Sequence, residues 1–308
     1  MKTVFIDGSA GTTGLRIYER LSARQDLQLM TLPDEVRKDP EARKQALNSC
    51  DVAFLCLPDA AAMEAVSLIE NDRVTVLDTS TAHRTNADWA YGFPELGAEF
   101  ENKILNSRRI AVPGCHASGF ISLVSPLVKA GILPAASRLT CHSITGYSGG
   151  GKKMIAEYES ADRSILLDAP RQYALGQTHK HIPEIVKVCG LENAPVFCPI
   201  VADFYSGMEV TVSLFGSDIK GNMEDIRKLY AAYYAEGLVK YSDAADPDGL
   251  LSAGAYSGRD DMQVSVAGNA DRIILTARFD NLGKGASGAA IQNMNILLGL
   301  DEATGLSV

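Results

Sequence analysis

Residues 3–21 read TVFIDGSAGTTGLRIYERL and place a strand, a glycine-rich turn and a helix in that order. The strand is mostly apolar, and the helix has apolar residues at helical spacing. Glycines in the turn, Gly8 to Gly14, let backbone N–H groups at the helix start face a pyrophosphate, whose charge the helix dipole favours. This order is typical of dinucleotide-binding domains, although Ala10 stands where the commoner fingerprint has its second glycine. A tight strand-to-helix connection without a ligand is the alternative.

Further along the chain, three more apolar strands alternate with helical segments. This pattern predicts a parallel sheet with helices on both faces, which is a doubly wound α/β domain. Ligands of such sheets bind beyond the carboxyl ends of the strands. We expect strands at 27–32, 51–57 and 74–78, and helices at 41–47 and 60–69.

The segment after the second strand bears on the choice of dinucleotide. Asp34 and Glu35 could bind a ribose diol, whereas Arg37 and Lys38 could bind a 2′-phosphate. The sequence leaves NAD and NADP open, and solvation at the surface is the other interpretation of the basic pair.

The second half of the chain has a different construction. Long strands joined by loops predict an antiparallel or mixed sheet. We expect strands at 138–144, 199–214, 263–267 and 272–279, a helix at 223–237 and a loop at 146–153. The last segment, 280–298, is a glycine-rich loop that enters an amphipathic helix, whose small residues would let it pack tightly against the nucleotide-binding sheet.

Composition narrows the class of protein. The chain has 308 residues, 46% of them hydrophobic, which suits about two domains. The net charge of −9 argues against nucleic acid as the main partner. No apolar run could span a bilayer, and the first residues lack the regions of a signal peptide. The six cysteines are widely spaced without a CxxC pair, so we expect reduced thiols of a cytoplasmic protein and neither a disulfide framework nor a zinc site.

The candidate nucleophile is Cys115, in the stretch PGCHASG at 113–119, between an apolar strand and an apolar helix. A thiol in the first turn of a helix meets unpaired N–H groups and the positive end of the dipole, and both favour the thiolate. Gly114 and Gly119 would let a substrate carbonyl approach the sulfur. A buried cysteine that only fills space is the alternative.

Two of the five histidines, His179 and His181, lie close to Glu184 in the sequence. An imidazole that titrates near neutrality can carry protons for a thiol nucleophile, and Glu184 could orient one ring. Two histidines rarely make a metal site, so we expect no metal. Exposed loop histidines are the other interpretation. Upstream, three glycines followed by Lys152 and Lys153 form either a flexible loop or a nest for a phosphate or carboxylate.

Three motifs in one order resemble the N-acetyl-gamma-glutamyl-phosphate reductase family, in its shorter subtype, over nearly the whole chain. They are PGC at 113–115, HxHxPE at 179–184 and DNLxKGAxGxAxQNMN at 280–295. Aspartate-semialdehyde dehydrogenase belongs to the same wider group. The resemblance implies a Rossmann-type NADP-binding domain formed by 1–114 and 286–308, and an inserted α+β catalytic and dimerisation domain at 115–285. His116 replaces the aromatic residue more often seen after the cysteine.

The resemblance also implies an activity, which is the reversible, NADPH-dependent reduction of a small acyl phosphate, N-acetyl-gamma-glutamyl phosphate, in arginine biosynthesis. The enzyme would be a cytoplasmic homodimer or homotetramer with no nucleic-acid or membrane partner. The reaction would pass through a thioester on Cys115, with His181 as acid and base and Glu184 orienting it. The residues expected to bind the substrate are His179, Ser148, Lys152 and Arg84. Those expected to bind the cofactor are Gly8, Ser9, Ala10, Gly11, Thr12, Thr13, Gly14, Ser80, Asn281 and Gly285.

Other functions fit parts of the same pattern. A related reductase could act on aspartyl phosphate or on a carrier-linked aminoadipyl phosphate. A cysteine hydrolase could use Cys115 and His181 without any reduction, and a sensor could bind the dinucleotide without catalysis. The sensor leaves the cluster from His179 to Glu184 without a purpose, and the joint presence of nucleophile, base and cofactor motifs favours the reductase.

Overall fold

The computed structural model describes all 308 residues of the chain. They form two compact units. The first unit comprises Met1–Pro94, Ala98–Gly114 and Ala286–Ser307, and the second comprises Glu95–Gly97, Cys115–Gly285 and Val308. None of the helices combines the length and the hydropathy that are needed to cross a bilayer.

A parallel sheet of six strands lies at the centre of the first unit. The strands are β1 (Lys2–Asp7), β2 (Leu27–Met30), β3 (Val52–Leu55), β4 (Thr75–Asp78), β5 (Ala90–Tyr91) and β6 (Arg109–Ala111), in the order β2-β1-β3-β4-β6-β5. The connecting helices are α1 (Thr12–Ser22), α2 (Pro40–Ser49), α3 (Asp59–Ser67) and α4 (Ala98–Leu105). The strand order reverses between β1 and β3, which is where the ligands of such sheets bind.

Both faces of this sheet are buried. Val4 and Ile6 of β1 pack in one apolar cluster with α1 and with the last helix of the chain, whereas Phe5 packs in a second cluster with α2 and α3. Successive residues of a strand point to opposite faces, so every position of β1 from Val4 onward meets a covering layer. This explains why the strands read as continuous apolar runs.

The second unit is built on a mixed sheet of seven strands. They are β7 (Thr140–Gly146), β8 (Arg171–Gln172), β9 (Val196–Ala202), β10 (Met208–Phe215), β11 (Val239–Tyr241), β12 (Met262–Gly268) and β13 (Arg272–Phe279), in the order β11-β12-β13-β10-β7-β9-β8. Strand β7 is parallel to β9 and β11 is parallel to β12, while the other pairs are antiparallel. The helices are α5 (Cys115–Lys129), α6 (Gly151–Glu159), α7 (Ile182–Cys189) and α8 (Met223–Tyr233). The predicted fold class is confirmed.

Two local expectations were wrong. The loop expected at 146–153 is a short 3₁₀ turn, Tyr147–Gly150, followed by α6. Strong helix formers follow the glycines, and Met154 and Tyr158 lie four residues apart on the inward side, which favours a helix. The last helix, α9 (Gly288–Leu297), is not amphipathic, because every residue from 288 to 295 is buried.

Helix α5 contains a proline. Two tyrosines, one in α8 and one directly after that helix, donate hydrogen bonds that compensate for it. Pro126 has no N–H to donate to the carbonyl of Ser122, four residues earlier. The hydroxyl of Tyr234 donates to that carbonyl at 2.5 Å, and the hydroxyl of Tyr230 donates to the carbonyl of Leu123. Burial raises the pKa of both phenols, so they remain donors.

Gly119 of α5 has a different role from the one expected. A Cβ at this position would lie 2.8 Å from Cβ of Val210 and 2.9 Å from Cε1 of Phe279. The space beside Gly119 is therefore filled by β10 and β13, and the missing side chain allows α5 to pack closely on the sheet rather than admitting a substrate.

Candidate active site

A cavity of about 430 Å³ lies in the first unit at the carboxyl ends of β1 and β3. Gly8, Ser9, Ala10 and Gly11, which we expected to bind a cofactor, line it. Its wall also contains Arg37 and Lys38, together with Asp7, Leu32, Arg43, Cys56, Leu57, Pro58, Ala61 and Glu64. The structure therefore places the basic pair, and neither member of the acidic pair, at the cavity.

The glycine-rich turn is shaped for a ligand's phosphates. Gly8 has φ +86°, and a Cβ there would collide with the carbonyl of Cys56, so only glycine fits. Gly11 is the N-cap of α1 and has no side chain to cap the helix. In the following turn, Thr12 Oγ1 is buried and makes no hydrogen bond within the protein. Uncapped N–H groups and an unpartnered hydroxyl at a helix N-terminus suit a dinucleotide phosphate.

An ion network holds the wall of the cavity, in which Asp7 and Arg43 are buried and Glu64 is exposed. Arg43 Nε lies 3.1 Å from Asp7 Oδ2, and its Nη1 lies 2.6 Å from Glu64 Oε2. Burial raises the pKa of Asp7, although the Arg43 guanidinium opposes this shift. The network ties α2 and α3 to the end of β1 and so fixes the cavity wall.

The structure gives Ser80 and Arg84 partners in the turns after β4. Ser80 Oγ donates to Asp78 Oδ2 at 2.7 Å, and Ser80 lies outside the lining of the cavity. Arg84 donates from Nε to the Val112 carbonyl at 2.9 Å and from Nη2 to the Thr79 carbonyl at 2.8 Å. These hydrogen bonds order the turns after β4.

In the second unit, Cys115 is the first residue of α5 and is partly exposed. Gly285 lies beside it, since a Cβ at 285 would be 3.0 Å from Cβ of Cys115. Gly285 belongs to a π-helical turn, Gly283–Ser287, a form often found at functional sites. A larger residue at 285 would press on the thiol-bearing residue.

Three imidazole rings cluster around His116, the residue that follows Cys115. The ring centroid of His116 lies 5.7 Å from that of His179 and 5.6 Å from that of His181, and His179 and His181 are 4.7 Å apart. Phe197 packs against His116 and His179. His116 and His181 are buried, and His179 is half-buried. The HxH histidines are thus not exposed loop residues.

Burial sets the charge of this cluster. It lowers the pKa of His116 to about 3, and the charge of His179 adds to the effect. It also lowers the pKa of His179 to about 4, with a further contribution from Lys180. The backbone N–H of His181 donates to His179 Nδ1 at 3.2 Å, so the neutral His179 ring carries its proton on Nε2. Near pH 7 both rings are neutral.

Helix α7 positions His181 and Glu184. His181 is the N-cap residue of the helix, and Glu184 is a buried carboxyl in its first turn, where the helix dipole favours a negative charge. The preceding loop is fixed by Gln177, whose side chain accepts from the Phe197 N–H and donates to the Phe197 carbonyl, both at 2.8 Å. Gln177 and Ala174 have φ of 55° and 53°, left-handed conformations that non-glycine residues rarely adopt.

A hydrogen bond joins Ser148, which we expected to bind substrate, to Asn281, which we expected to bind cofactor. Asn281 Nδ2 donates to Ser148 Oγ at 3.0 Å, and Asn281 Oδ1 accepts from the Gly207 N–H at 2.9 Å. Both side chains are buried. Lys152 is exposed on α6. No group of three or more His, Cys, Asp or Glu side chains is arranged to hold a metal ion.

Tyr173 and Ser143 are two further residues of the imidazole cluster, and the sequence does not reveal them. His116 Nε2 lies 2.7 Å from the Tyr173 hydroxyl, and His116 Nδ1 lies 2.6 Å from Ser143 Oγ. Burial raises the pKa of Tyr173, and the charge of Cys115 raises it further. For His116 the only local signal is its place directly after the candidate nucleophile. Tyr173 lies just after the two-residue strand β8 and has no such signal.

Two family models match the chain. The model described as "Semialdehyde dehydrogenase, NAD binding domain" matches residues 19–103, and "Semialdehyde dehydrogenase, dimerisation domain" matches residues 115–281.

Curated proteins named N-acetyl-gamma-glutamyl-phosphate reductase are similar to the chain over nearly their full length. One from Nostoc sp. is 45% identical over 98% of both chains, and one from Burkholderia lata is 46% identical over 96% of both. Solved structures share the fold at low identity. Aspartate semialdehyde dehydrogenase II from Vibrio cholerae, complexed with ASA, has a TM-score of 0.73 at 17% identity and covers 97% of this chain and 98% of its own. The enzyme from Candida albicans, with NADP, has a TM-score of 0.66 at 17% identity and covers 97% and 98%.

Proposed function

The chain belongs to the N-acetyl-gamma-glutamyl-phosphate reductase family of semialdehyde dehydrogenases, and we propose that it reduces N-acetyl-gamma-glutamyl phosphate to N-acetylglutamate 5-semialdehyde and phosphate. The chain is an oxidoreductase, and in this proposal the reaction is reversible and serves arginine biosynthesis. The observation that carries the proposal is Cys115 at the start of α5, followed directly by His116, whose imidazole clusters with those of His179 and His181.

The first step forms a thioester. His181 accepts the proton of the Cys115 thiol, and the thiolate attacks the acyl carbon of the substrate. The new C–S bond forms as the bond between the acyl carbon and the phosphate oxygen breaks, and the departing phosphate takes up a proton from solvent. The N-terminus of α5 favours the negative charge on the sulfur before attack.

The second step reduces the thioester to the aldehyde. When bound, a nicotinamide dinucleotide would supply the hydride. His181 returns its proton to the oxygen of the tetrahedral thiohemiacetal and takes it back as the C–S bond breaks, which releases the aldehyde and the thiolate. Glu184, in the same helical turn as His181, orients and biases that imidazole.

NADPH is the cofactor that the cavity of the first unit suits best. Arg37 and Lys38 line the cavity together with the glycine-rich turn, and two cations can bind a 2′-phosphate. Asp34, which could have favoured a ribose diol, pairs with Arg37 at 3.0 Å instead. Thr12, Thr13 and Gly14 would complete the phosphate site at the first turn of α1. Ser80, Asn281 and Gly285 remain proposed cofactor residues.

In this proposal each of the two units has its own function. Residues 1–114 and 286–308 bind NADP, and residues 115–285 carry the catalytic residues and the contact between subunits of a cytoplasmic homodimer or homotetramer. The match of 115–281 to a dimerisation domain supports the second assignment. His179 is the main proposed substrate ligand, with Ser148, Lys152 and Arg84 as further ones.

A steady-state assay tests the proposal. Purified protein is mixed with N-acetylglutamate 5-semialdehyde, phosphate and either NADP or NAD, and the nicotinamide absorbance is followed. We expect turnover with NADP, its loss in Cys115→Ser, and its retention in Cys198→Ser, a partly exposed free thiol on β9 that serves as the matched control. Faster turnover of aspartate semialdehyde would move the assignment to the related reductase, and turnover by Cys115→Ser would exclude the thioester.

A further inference from the structure

A second cavity of about 430 Å³ lies in the first unit, at the edge of the parallel sheet opposite the glycine-rich turn. Four neighbouring strands reach it at or just before their amino ends, β1 at Lys2, β3 at Val52, β4 at Thr75 and β6 at Arg108. The six residues of β1, at about 3.3 Å each, put roughly 15–20 Å between the two edges. None of the residues proposed to bind cofactor or substrate, or to act in catalysis, lines this second cavity.

The charges that line the second cavity are mostly positive. Its three cations are Lys2, Arg73 and Arg108, and its single acid is Asp51. Asp51 is already engaged, since its Oδ1 lies 2.7 Å from Lys2 Nζ and its Oδ2 accepts from the Thr3 N–H at 2.9 Å. Lys2 and Asp51 thus balance each other. Arg73 and Arg108 keep two positive charges that no acid in the lining neutralises, in a chain whose net charge is −9.

Uncharged oxygens hold Arg108 in place. Its Nη1 donates to the Arg73 carbonyl at 3.0 Å and to Thr75 Oγ1 at 3.3 Å. These bonds do not use Nε and Nη2, whose N–H groups suit a bidentate pair with a carboxylate or phosphate. Positive charge also accumulates at this edge, because Arg109 follows directly. Burial lowers the pKa of Arg109, and the charge of Arg108 lowers it further.

The rest of the wall limits the kind of anion that fits. Its apolar part consists of Val52, Leu105, Leu297 and Leu298. A volume of about 430 Å³ lies within the range of about 300–1,000 Å³ that is usual for small-molecule sites. Cationic and apolar side chains around one cavity suit a molecule with an anionic head and an apolar body. An inorganic ion alone would leave the apolar wall uncovered.

We propose that the second cavity binds a small organic anion, a carboxylate or a phosphate on an apolar body, with Arg73 and Arg108 as ligands of the anionic head. The bound molecule is not a reactant of the proposed catalysis, since no catalytic residue lines the cavity. The inference does not rest on the proposed function.

Isothermal titration calorimetry on full-length protein saturated with NADP tests this site. NADP fills the cofactor cavity, so the probes cannot bind there. Two probes, butyl phosphate and pentanoate, share a four-carbon tail, and two others, methyl phosphate and acetate, carry the same heads on a single carbon. We expect a four-carbon probe to bind at least about tenfold more tightly than its one-carbon counterpart, because its additional methylenes are buried on the apolar wall. The head group of the tighter four-carbon probe then distinguishes a phosphate from a carboxylate ligand.

Variants at the two arginines locate the binding. Arg73→Gln combined with Arg108→Gln should weaken it at least about tenfold, because both charged donors to the head are lost. Arg73→Gln alone, at an exposed position, should weaken it less. Arg138→Gln combined with Arg272→Gln removes two exposed arginines of the second unit and should leave it unchanged. An unchanged Kd for NADP in each variant shows that the first unit is folded.

Three results would overturn the inference. They are no binding of either four-carbon probe to the wild type, equal binding by the cavity variant and the control variant, and equal affinity for the long and short probes. The last is the behaviour of exposed arginines outside any cavity. Failure of the proposed function is separate, since it would appear as substrate turnover by Cys115→Ser and would leave these titrations unchanged.

Discussion

The substitution Gly119→Ala tests how α5, and with it Cys115, is held on the sheet. The new Cβ would lie 2.8 Å from Cβ of Val210 and 2.9 Å from Cε1 of Phe279, where ordinary carbon contacts are about 3.5–4.0 Å. Val210 is a β-branched residue on β10, whose neighbours in the sheet are β13 and β7, and it has little freedom to turn aside. The helix must therefore move, or the core must strain.

The magnitude follows from two opposed effects. Overpacking of a core costs about 1–3 kcal/mol, and contacts this short place Gly119→Ala at the upper end. Replacing glycine by alanine inside a helix recovers about 1 kcal/mol. The net loss is about 2 kcal/mol, which corresponds to a fall in melting temperature of about 4–8 °C for a unit of this size.

Thermal unfolding followed by circular dichroism measures the effect, with Ser125→Ala as the control on the same helix. The Ser125 hydroxyl is buried and makes no hydrogen bond, so its removal should leave the melting temperature unchanged or raise it. Adding Val210→Ala to Gly119→Ala should cost at least about 1 kcal/mol less than the sum of the single losses. Wild-type stability of Gly119→Ala with a raised KM for substrate would refute the packing argument and restore substrate access as the reason for this glycine.

Three more predictions concern other parts of the chain. Tyr234→Phe leaves the Ser122 carbonyl without its donor and should lower the free energy of unfolding by about 1–3 kcal/mol. In a Pro126→Ala background the restored backbone N–H should remove most of that loss, and urea unfolding of the four proteins measures both effects. Replacing Arg37 and Lys38 together by serine should raise KM for NADPH at least about tenfold and leave KM for NADH nearly unchanged, and equal effects on both would contradict the 2′-phosphate assignment. His116 has a pKa of about 3 in the folded chain against an ordinary value near 6.5, so below pH 6.5 the unfolded chain binds more protons than the folded chain. Stability should therefore fall as the pH drops from about 6.5 towards 3. In His116→Gln, melting temperatures measured at each pH should fall less steeply.

The sequence predicts those parts of the fold that depend on neighbouring residues. Strands β1 and β3 and the turn at Gly8 show as apolar runs and glycines close together in the chain, and both faces of their sheet are covered, so the runs are continuous. The turn before α5 is likewise a local pattern. Helix α6 was misread because three glycines outweighed the helix formers that follow them.

The sequence could not predict contacts between distant segments. Ser143 lies on β7, Phe197 lies on β9 and Tyr173 directly follows β8. Only the pairing of β7 with β9 and of β9 with β8 brings them to the same imidazole. The role of Gly119 depends on β10 and β13, which are far away along the chain. The burial of α9 depends on the sheet against which it packs. The residues of α9 are small and apolar or carry amides, and this composition alone does not predict that all of its faces are covered.

The most direct test of the proposed reaction is a single-turnover experiment without phosphate. Enzyme is mixed with N-acetylglutamate 5-semialdehyde and NADP, the nicotinamide absorbance is followed, and the protein is digested for mass spectrometry. The account predicts a burst of one equivalent of NADPH per subunit and an N-acetylglutamyl group on the peptide that contains Cys115, which added phosphate then releases. Continuous turnover without phosphate, or a burst with the acyl group on another residue, would contradict it.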